Sequence, residues 1–354
     1  MVDDSAVMRK VISTILERDE SIEVVATAID GDFAVTKAAQ LKPDVVTLDV
    51  DMPRMDGITA LGQIVSKEKL PVLMFSSLTT RDAALTLKAL EMGAVDFICK
   101  PKSAAMMETM AEELLSKVKA AAKSRVIPPV EPPAAIVKPK RKLAQIPRGR
   151  HSDRILAIGA SSGGPNALRS MLPKIPPDLD AGIVIVQHMP ASFTAVMAKW
   201  LDEICQIEVR EAKDNDPIFP GVALVAPGDT HLTVKRTPFG AIAQLSKGEP
   251  VNGHRPSVDV LFRSVAKEFG QRATALIMTG MGSDGAEGIG EIKKSGGSTV
   301  AQDKESCSIF GMPRAAIERG YVDRIAALTD IAPCLVALVG TSKNTEVLRN
   351  GKLS

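Results

Sequence analysis

From Ser5 to about Lys119, short continuous apolar runs alternate with longer stretches whose apolar residues recur every three or four positions. IEVVATA, DVVTLDV, PVLMFSS and VDFIC are rich in β-branched and aromatic residues and are bounded by turn formers, which predicts strands. AVMRKVISTILER, FAVTKAAQL, ITALGQIVS, RDAALTLKALEM and SAAMMETMAEELLSKVKA carry helical spacing. Strands alternating with helices predict an α/β fold, a doubly wound parallel sheet covered on both faces. The pattern dissolves over residues 122–152, where VIPPVEPPAAIVKPKRKLAQIPRGRH is Pro-rich, basic and aperiodic, as expected of a semi-extended linker. Its Lys/Arg cluster lacks aromatic or amphipathic company and reads as a solvated tether. From Asp153 the alternation resumes with RILAIGA, GIVIVQ, GVALVAP, ATALIMTG and GGSTVAQD, predicting a second α/β domain with a mainly parallel sheet. The expected boundaries are therefore 1–121, 122–152 and 153–345, with a polar tail beyond.

Composition narrows the class. A length of 354 residues suits two domains, each with its own core, and 45% hydrophobic with 24% charged residues is ordinary for soluble protein. A net charge of +2 gives no case for nucleic acid, and one Trp and one Tyr make a base-stacking platform implausible. Cys99, Cys205, Cys307 and Cys334 are scattered, without metal or redox spacing, and fit reduced thiols. No apolar run approaches a membrane span, and MVDDSAVMRK lacks a signal-peptide core. A cytoplasmic monomer without membrane insertion is expected.

Four residues in the first third lie where apolar runs stop: Asp3, Asp4, Asp49 and Lys100. In an open α/β sheet, sites assemble at the carboxyl ends of the strands. Acids gathered there repel one another unless a divalent cation joins them, and oxygen ligands suit Mg²⁺. A lysine on the same rim can meet an incoming phosphoryl group. This is equipment for accepting phosphate on a carboxylate, placed ahead of a second domain that it can regulate. Residues 2–120 resemble the response-regulator receiver domain. That resemblance implies Asp49 as the phosphorylated residue, with Mg²⁺ held by Asp4, Asp49 and the Asp51 carbonyl, assisted by Asp3. It also implies Ser76 as the hydroxyl and Lys100 as the cation that bind the phosphoryl group, and Phe97 as the aromatic switch. The chain departs from the family at its start, where almost all of the expected first strand is missing; a true start upstream of this Met is expected.

The second domain opens with RILAIGASSGGP, a strand running into a turn of small residues. Gly159 to Gly163 fits G-x-S-x-G, which would expose Ser161. A glycine-rich cofactor loop is the rival, but Pro165 occupies the place of the last glycine, and Tyr321 is followed by Ile325 where a dehydrogenase needs lysine. A serine nucleophile needs a base, and there are four histidines. His151 lies in the linker, His231 begins an alternating segment and reads as structural, and His254 is a loop residue suited to substrate contact. His188 ends GIVIVQH on the same rim as Ser161 and is favoured. Asp284, closing the glycine-rich TGMGSDG, is the candidate third member, since triads are set by geometry and not chain order. Gly280, Gly282 and Gly285 would let backbone amides approach an oxyanion.

GASSGGP, VQHMP, LVAPGD, RPSVDVLF, TGMGSDG and FGMPRAAI, in this order behind a receiver, resemble the chemotaxis protein-glutamate methylesterase family, CheB. The resemblance implies Ser161 as nucleophile, His188 as base, Asp284 as its orienter, and the amides of Ser162 and Met281 as oxyanion donors. It implies hydrolysis of glutamate γ-methyl esters on chemoreceptors with release of methanol, and deamidation of receptor glutamines. No cofactor is expected for hydrolysis; Mg²⁺ serves phosphorylation alone. The implied phosphodonor is the histidine kinase CheA, and the unphosphorylated receiver would block access to the catalytic domain. The alternative is a response regulator whose distal domain only binds a partner, against which the complete Ser161, His188 and Asp284 set argues. The substrate could also be a receptor-like sensor of another signalling array.

Overall fold

A computed structural model describes residues 1–77, 79–101, 107–124 and 153–341. The chain divides into two compact units, Met1–Glu131 and Pro132–Ser354. The division falls inside the expected linker; residues 125–152, with His151 and the basic cluster, lie outside the described residues, as does the tail from residue 342.

In the first unit, α1 (Ala6–Leu16), α2 (Gly31–Leu41), α3 (Gly57–Gln63), α4 (Thr80–Glu91) and α5 (Met107–Ala122) pack around a parallel sheet. Its strands are β1 (Val46–Asp49), β2 (Val72–Ser76) and β3 (Asp96–Cys99), in the order β1-β2-β3. Four of these helices start where a side chain accepts an otherwise unpaired amide. Ser5, Asp30, Asp56 and Thr79 accept from Met8, Phe33, Thr59 and Asp82 respectively. Apolar spacing then selects the inward face: Ile12, Ile15 and Leu16 of α1, with Met110, Leu114 and Val118 of α5, join Leu73, Phe75 and Ile98 in one core. Every residue of β1 and β2 is buried, which is why these strands read as continuous apolar runs.

The second unit contains β4 (Ile155–Ala160), β5 (Gly182–Gln187), β6 (Glu208–Glu211), β7 (Pro217–Ile218), β8 (Val222–Val225), β9 (His231–Thr237), β10 (Gly240–Ser246), β11 (Ala273–Ile277), β12 (Ser298–Gln302) and β13 (Arg324–Ala326). Its helices are α6 (Gly164–Met171), α7 (Ala191–Ile204), α8 (Val258–Phe269), α9 (Ala286–Lys294), α10 (Met312–Glu318) and α11 (Ile331–Val339). Seven strands form a sheet in the order β13-β12-β11-β4-β5-β8-β6, all pairs parallel. The order turns at β4: the chain leaves it toward β5 on one side and returns at β11 on the other. Such a switch point opens a crevice at the carboxyl ends of the strands. Besides the expected strands, β7, β10 and β9 form a small antiparallel sheet. Its inward residues Leu232, Val234, Ala241 and Ala243 join the core of the large sheet and α8.

One expected strand of the first unit is corrected. IEVVATA forms no ladder; of its residues only Ala28 pairs, with Val2, which also bridges Leu48. The Val2 amide donates to the Thr47 carbonyl at 2.8 Å, and the Asp49 amide to the Val2 carbonyl at 3.1 Å. A single residue thus stands between residues 22–28 and β1, where a strand of roughly five would be needed to pair both edges. Beside it opens a cavity of about 200 Å³ lined by Leu16, Ile22, Val24, Val45, Val46 and Val118 among others. The side chains suit a strand, and among the described residues only Val2 bridges to this segment. An apolar, β-branched extension of roughly five residues joined ahead of Met1 should fill this slot and raise the unfolding midpoint of the first unit by calorimetry. A Gly/Ser extension of equal length should not, and equal midpoints would mean that Val2 alone satisfies both edges.

Candidate functional site

Ser161 follows the last residue of β4, and His188 the last residue of β5. Ala160 and Gln187 are register partners, so Ser161 and His188 start about one strand spacing apart, roughly 4.8 Å. The His188 amide donates to the Ala160 carbonyl at 3.1 Å, and the Ser161 amide to the Thr279 carbonyl, beyond β11, also at 3.1 Å. The turn at Ser161 is held from two sides. Gln187 Nε2 donates to the Ser161 carbonyl at 2.8 Å, and Thr279 Oγ1 to the Ser162 carbonyl at 2.9 Å. Gly163 then enters α6 at φ 76°, a conformation costly for residues with a Cβ. On the opposite side, a Cβ on Gly280 would stand 2.8 Å from Ser161 Cβ and 2.3 Å from Met312 Sδ. Only glycine lets this loop approach the serine so closely.

Asp284, on that loop, is buried with a side chain only 1% exposed. His188 Nε2 lies 2.9 Å from its Oδ2. The same oxygen accepts the Val258 amide at 2.6 Å, while Oδ1 accepts from Asn252 Nδ2 and Ser257 Oγ at 2.8 Å each and from the Asp259 amide at 3.3 Å. Burial alone would raise its pKa, but the contact with His188 and the donors from Asn252 and Val258 outweigh it, so the carboxyl is held well below its usual range. The first amides of α8 thus cap a carboxylate, as helix N-termini do for anions. His188 Nδ1 is buried and has no hydrogen-bond partner among the described residues. His254 stacks its ring on that of His188, centroids 3.8 Å apart and planes 13° from parallel. His231 is buried away from Ser161: Nδ1 accepts the Ser257 amide at 3.2 Å, and Nε2 lies 2.9 Å from the Glu249 carbonyl.

For an oxyanion, the amides of Ser161 and Gly280 are already given to Thr279 and Ile309 carbonyls. Ser162 and Met281 are the next residues along the two segments, Met281 following the glycine that approaches Ser161. Sequence reasoning missed Gln187, Asn252, Ser257, Asp259 and Thr279. The Asn252-Gly253 pair, a turn signal, and Ser257 ahead of an apolar-periodic stretch were the available signs.

In the first unit, Asp3, Asp4 and Asp49 offer carboxylate oxygens within 4.8 Å of one another. Lys100 Nζ lies 2.7 Å from Asp49 Oδ2 and 2.9 Å from Asp3 Oδ2. Asp3 Oδ2 is buried, and its contact with Lys100 is an ion pair without hydrogen-bond geometry. Three oxygens, one of them short of a donor, suit a hard divalent cation. Burial pushes the Asp49 carboxyl up to about 6, opposed by Lys100 and reinforced by the charge of Asp3. Burial alone would lower the Lys100 pKa, but Asp49 and Asp3 raise it. Ser76, buried at the end of β2, has its Oγ 2.7 Å from Thr86 Oγ1 of α4 and 3.2 Å from the Ser77 carbonyl. Asp51 is exposed just beyond β1. Phe97 is buried in β3, with Lys117 Nζ 5.3 Å from its ring centroid and donating to its carbonyl at 2.6 Å.

Comparison with known proteins places both units. Residues 156–335 match the family described as CheB methylesterase, and residues 1–112 the response regulator receiver domain. A protein-glutamate methylesterase/protein-glutamine glutaminase 2 of Koribacter versatilis is 48% identical over 342 residues, covering 95% of this chain and 94% of that protein. A protein-glutamate methylesterase/protein-glutamine glutaminase of Halalkalibacterium halodurans is 45% identical over 338 residues, covering 95% and 96%. The crystal structure of the Thermotoga maritima CheB methylesterase catalytic domain is 40% identical, with a TM-score of 0.52, covering 52% of this chain and 98% of that one. The chain belongs to the CheB methylesterase family, with a receiver domain ahead of its methylesterase domain.

Proposed function

We propose that Ser161, His188 and Asp284 carry out the reaction of this protein-glutamate methylesterase and protein-glutamine glutaminase, under control of phosphorylation at Asp49. The observation that carries the reading is the wiring of His188: Nε2 is committed to Asp284 at 2.9 Å, and Nδ1 is buried without a partner among the described residues. With Asp284 ionised, the imidazole keeps its proton on Nε2, and Nδ1 is the base. Ser161 Oγ attacks the γ-carbonyl of a glutamate methyl ester as Nδ1 takes its proton. The amides of Ser162 and Met281 hold the oxyanion, each donor worth about 2.7–4 kcal/mol. Collapse expels methanol, protonated from Nδ1, and leaves an acyl-serine. Water, deprotonated by Nδ1, then releases the glutamate and restores Ser161. With a glutamine side chain the first leaving group is ammonia.

In the receiver, Asp3, Asp4 and Asp49 with the Asp51 carbonyl would hold Mg²⁺, which neutralises charge on the phosphoryl group during its transfer. Lys100 and the Ser76 hydroxyl bind the phosphoryl oxygens on Asp49. A CheA-type histidine kinase is the proposed donor, and methyl-accepting receptors are the proposed substrates. Among the described residues no helix is long and apolar enough to cross a membrane; a cytoplasmic site of action fits substrates of this kind.

Ser161→Ala should cut methanol release from methylated receptors by roughly 10⁴-fold or more without shifting the unfolding midpoint. Asp49→Asn should keep basal release but lose its rise with a small phosphodonor and Mg²⁺; a normal rise would refute the gate. The same substitution should alter stability with pH. A carboxyl whose folded pKa is raised to about 6 binds more protons folded than unfolded between its ordinary value and 6. Its ionisation therefore costs stability as pH rises through that window. Asp49→Asn should raise the receiver's melting temperature at pH 7.5 in metal-free buffer, with the gain vanishing near pH 4. A gain that is equal at both pH values would remove burial of the charge as its cause.

A further inference from the structure

Two members of the triad are touched by one short turn that does not belong to it. Val251 and His254 exchange hydrogen bonds, amide to carbonyl, at 3.1 and 3.0 Å. The two residues between them, Asn252 and Gly253, have φ of 53° and 77°. This is a two-residue reversal of the Asn-Gly kind, in which both central residues take positive φ. The turn presents one polar side chain to Asp284 and the other to His188. Asn252 Nδ2 gives one hydrogen to Asp284 Oδ1 and the other to Asp259 Oδ2, each at 2.8 Å. His254 lays its ring flat on His188.

We propose that the Val251–His254 turn is a positioning clamp for the catalytic base, with Asn252 fixing Asp284 and His254 fixing the plane of His188. The inference rests on the reading of Ser161, His188 and Asp284 as the triad. Asp259 and Asp284 are both buried, 2% exposed each. Asp259 is raised above the ordinary carboxylate range, first by burial and also by the charge of Asp284, with the Gly288 amide opposing. A single amide group between two such carboxylates supplies both with a donor and fixes the distance between them. A side chain without donors would leave Oδ1 of Asp284 to Ser257 Oγ and the longer Asp259 amide contact, loosening the plane of the carboxylate and with it His188 Nε2. The stacked ring acts on the other freedom. Rotation of the imidazole about its bond to Cβ would drive its edge into a face 3.8 Å away, so Nδ1 stays where it can take the Ser161 proton.

The test uses the full chain and methylated receptor membranes, with kcat, KM and unfolding midpoint measured for Asn252→Leu, His254→Ala, His254→Phe and Ser161→Ala. Loss of a hydrogen bond to a charged group predicts that Asn252→Leu lowers kcat roughly 10- to 100-fold, with KM unchanged within about twofold. His254→Ala should lower kcat by about tenfold and His254→Phe should restore most of it, because a flat ring and not a titrating one is required. Nitrogen-15 spectra should find His188 protonated at Nε2 in the parent chain and divided between tautomers in Asn252→Leu. Wild-type kcat with a single Nε2–H tautomer in Asn252→Leu would overturn the clamp. If Asn252→Leu loses stability, the His254 pair decides: equal activity of the Ala and Phe variants overturns it. Retained turnover in Ser161→Ala would instead overturn the triad reading, whatever the turn variants do.

Discussion

The catalytic unit depends on keeping one carboxylate ionised out of water. Isolated in an apolar interior, Asp284 would take up a proton, since the charged form is the one burial penalises. Its two oxygens instead meet five donors, drawn from His188, Asn252, Ser257, and the amides of Val258 and Asp259. Two of these are the first amides of α8, which have no partners within the helix and point along its dipole. The helix must therefore start where it does, with Ser257 as its cap, and pack across β4 closely enough to reach the loop after β11. Gly159 permits this, as a Cβ there would meet Val258 Cγ1 at 2.2 Å.

Asp49 shows the same physics with the balance reversed. It too is buried, 4% exposed, but its protein partners are Lys100 and the Val50 amide, and Asp3 adds a like charge. Burial wins and pushes the carboxyl up to about 6. The contrast separates a carboxylate that is fully compensated from one that is not. Asp284 is saturated with donors and has no reason to change partner. Asp49 is under-compensated, so a divalent cation among Asp3, Asp4 and Asp49 would relieve it. Environment, not residue type, assigns the two roles.

Much of this could be read from sequence because the site grows from strand ends. The apolar runs that became β4, β5 and β11 stop at Ser161, His188 and the TGMGSDG loop, and a parallel sheet brings such ends together. The residues that orient the site were not legible for the opposite reason. Asn252 and Ser257 lie in a polar stretch whose spacing says turn and cap, and only the folded chain shows that both face Asp284. His254 read as a substrate contact, because nothing in VNGHRPSVD indicates a ring lying on another ring. IEVVATA failed differently: its side chains are those of a strand, but a strand exists only when neighbours pair with it, and Val2 supplies a single bridge.

The nitrogen that His188 uses follows from the same strand order. β4 lies between β5, which carries His188, and β11, whose following loop carries Asp284. Ser161 emerges from the middle strand, so the imidazole must reach over the serine to find its aspartate. Within the ring, Nδ1 is attached to the carbon that bears the side chain, and Nε2 lies farther out. A histidine two strand spacings from the loop beyond β11 reaches it with its outer nitrogen, Nε2. The 2.9 Å contact to Asp284 is made by Nε2. The order of strands at the switch point thus decides which ring nitrogen meets the carboxylate, and in the proposed triad it leaves Nδ1 to take the proton.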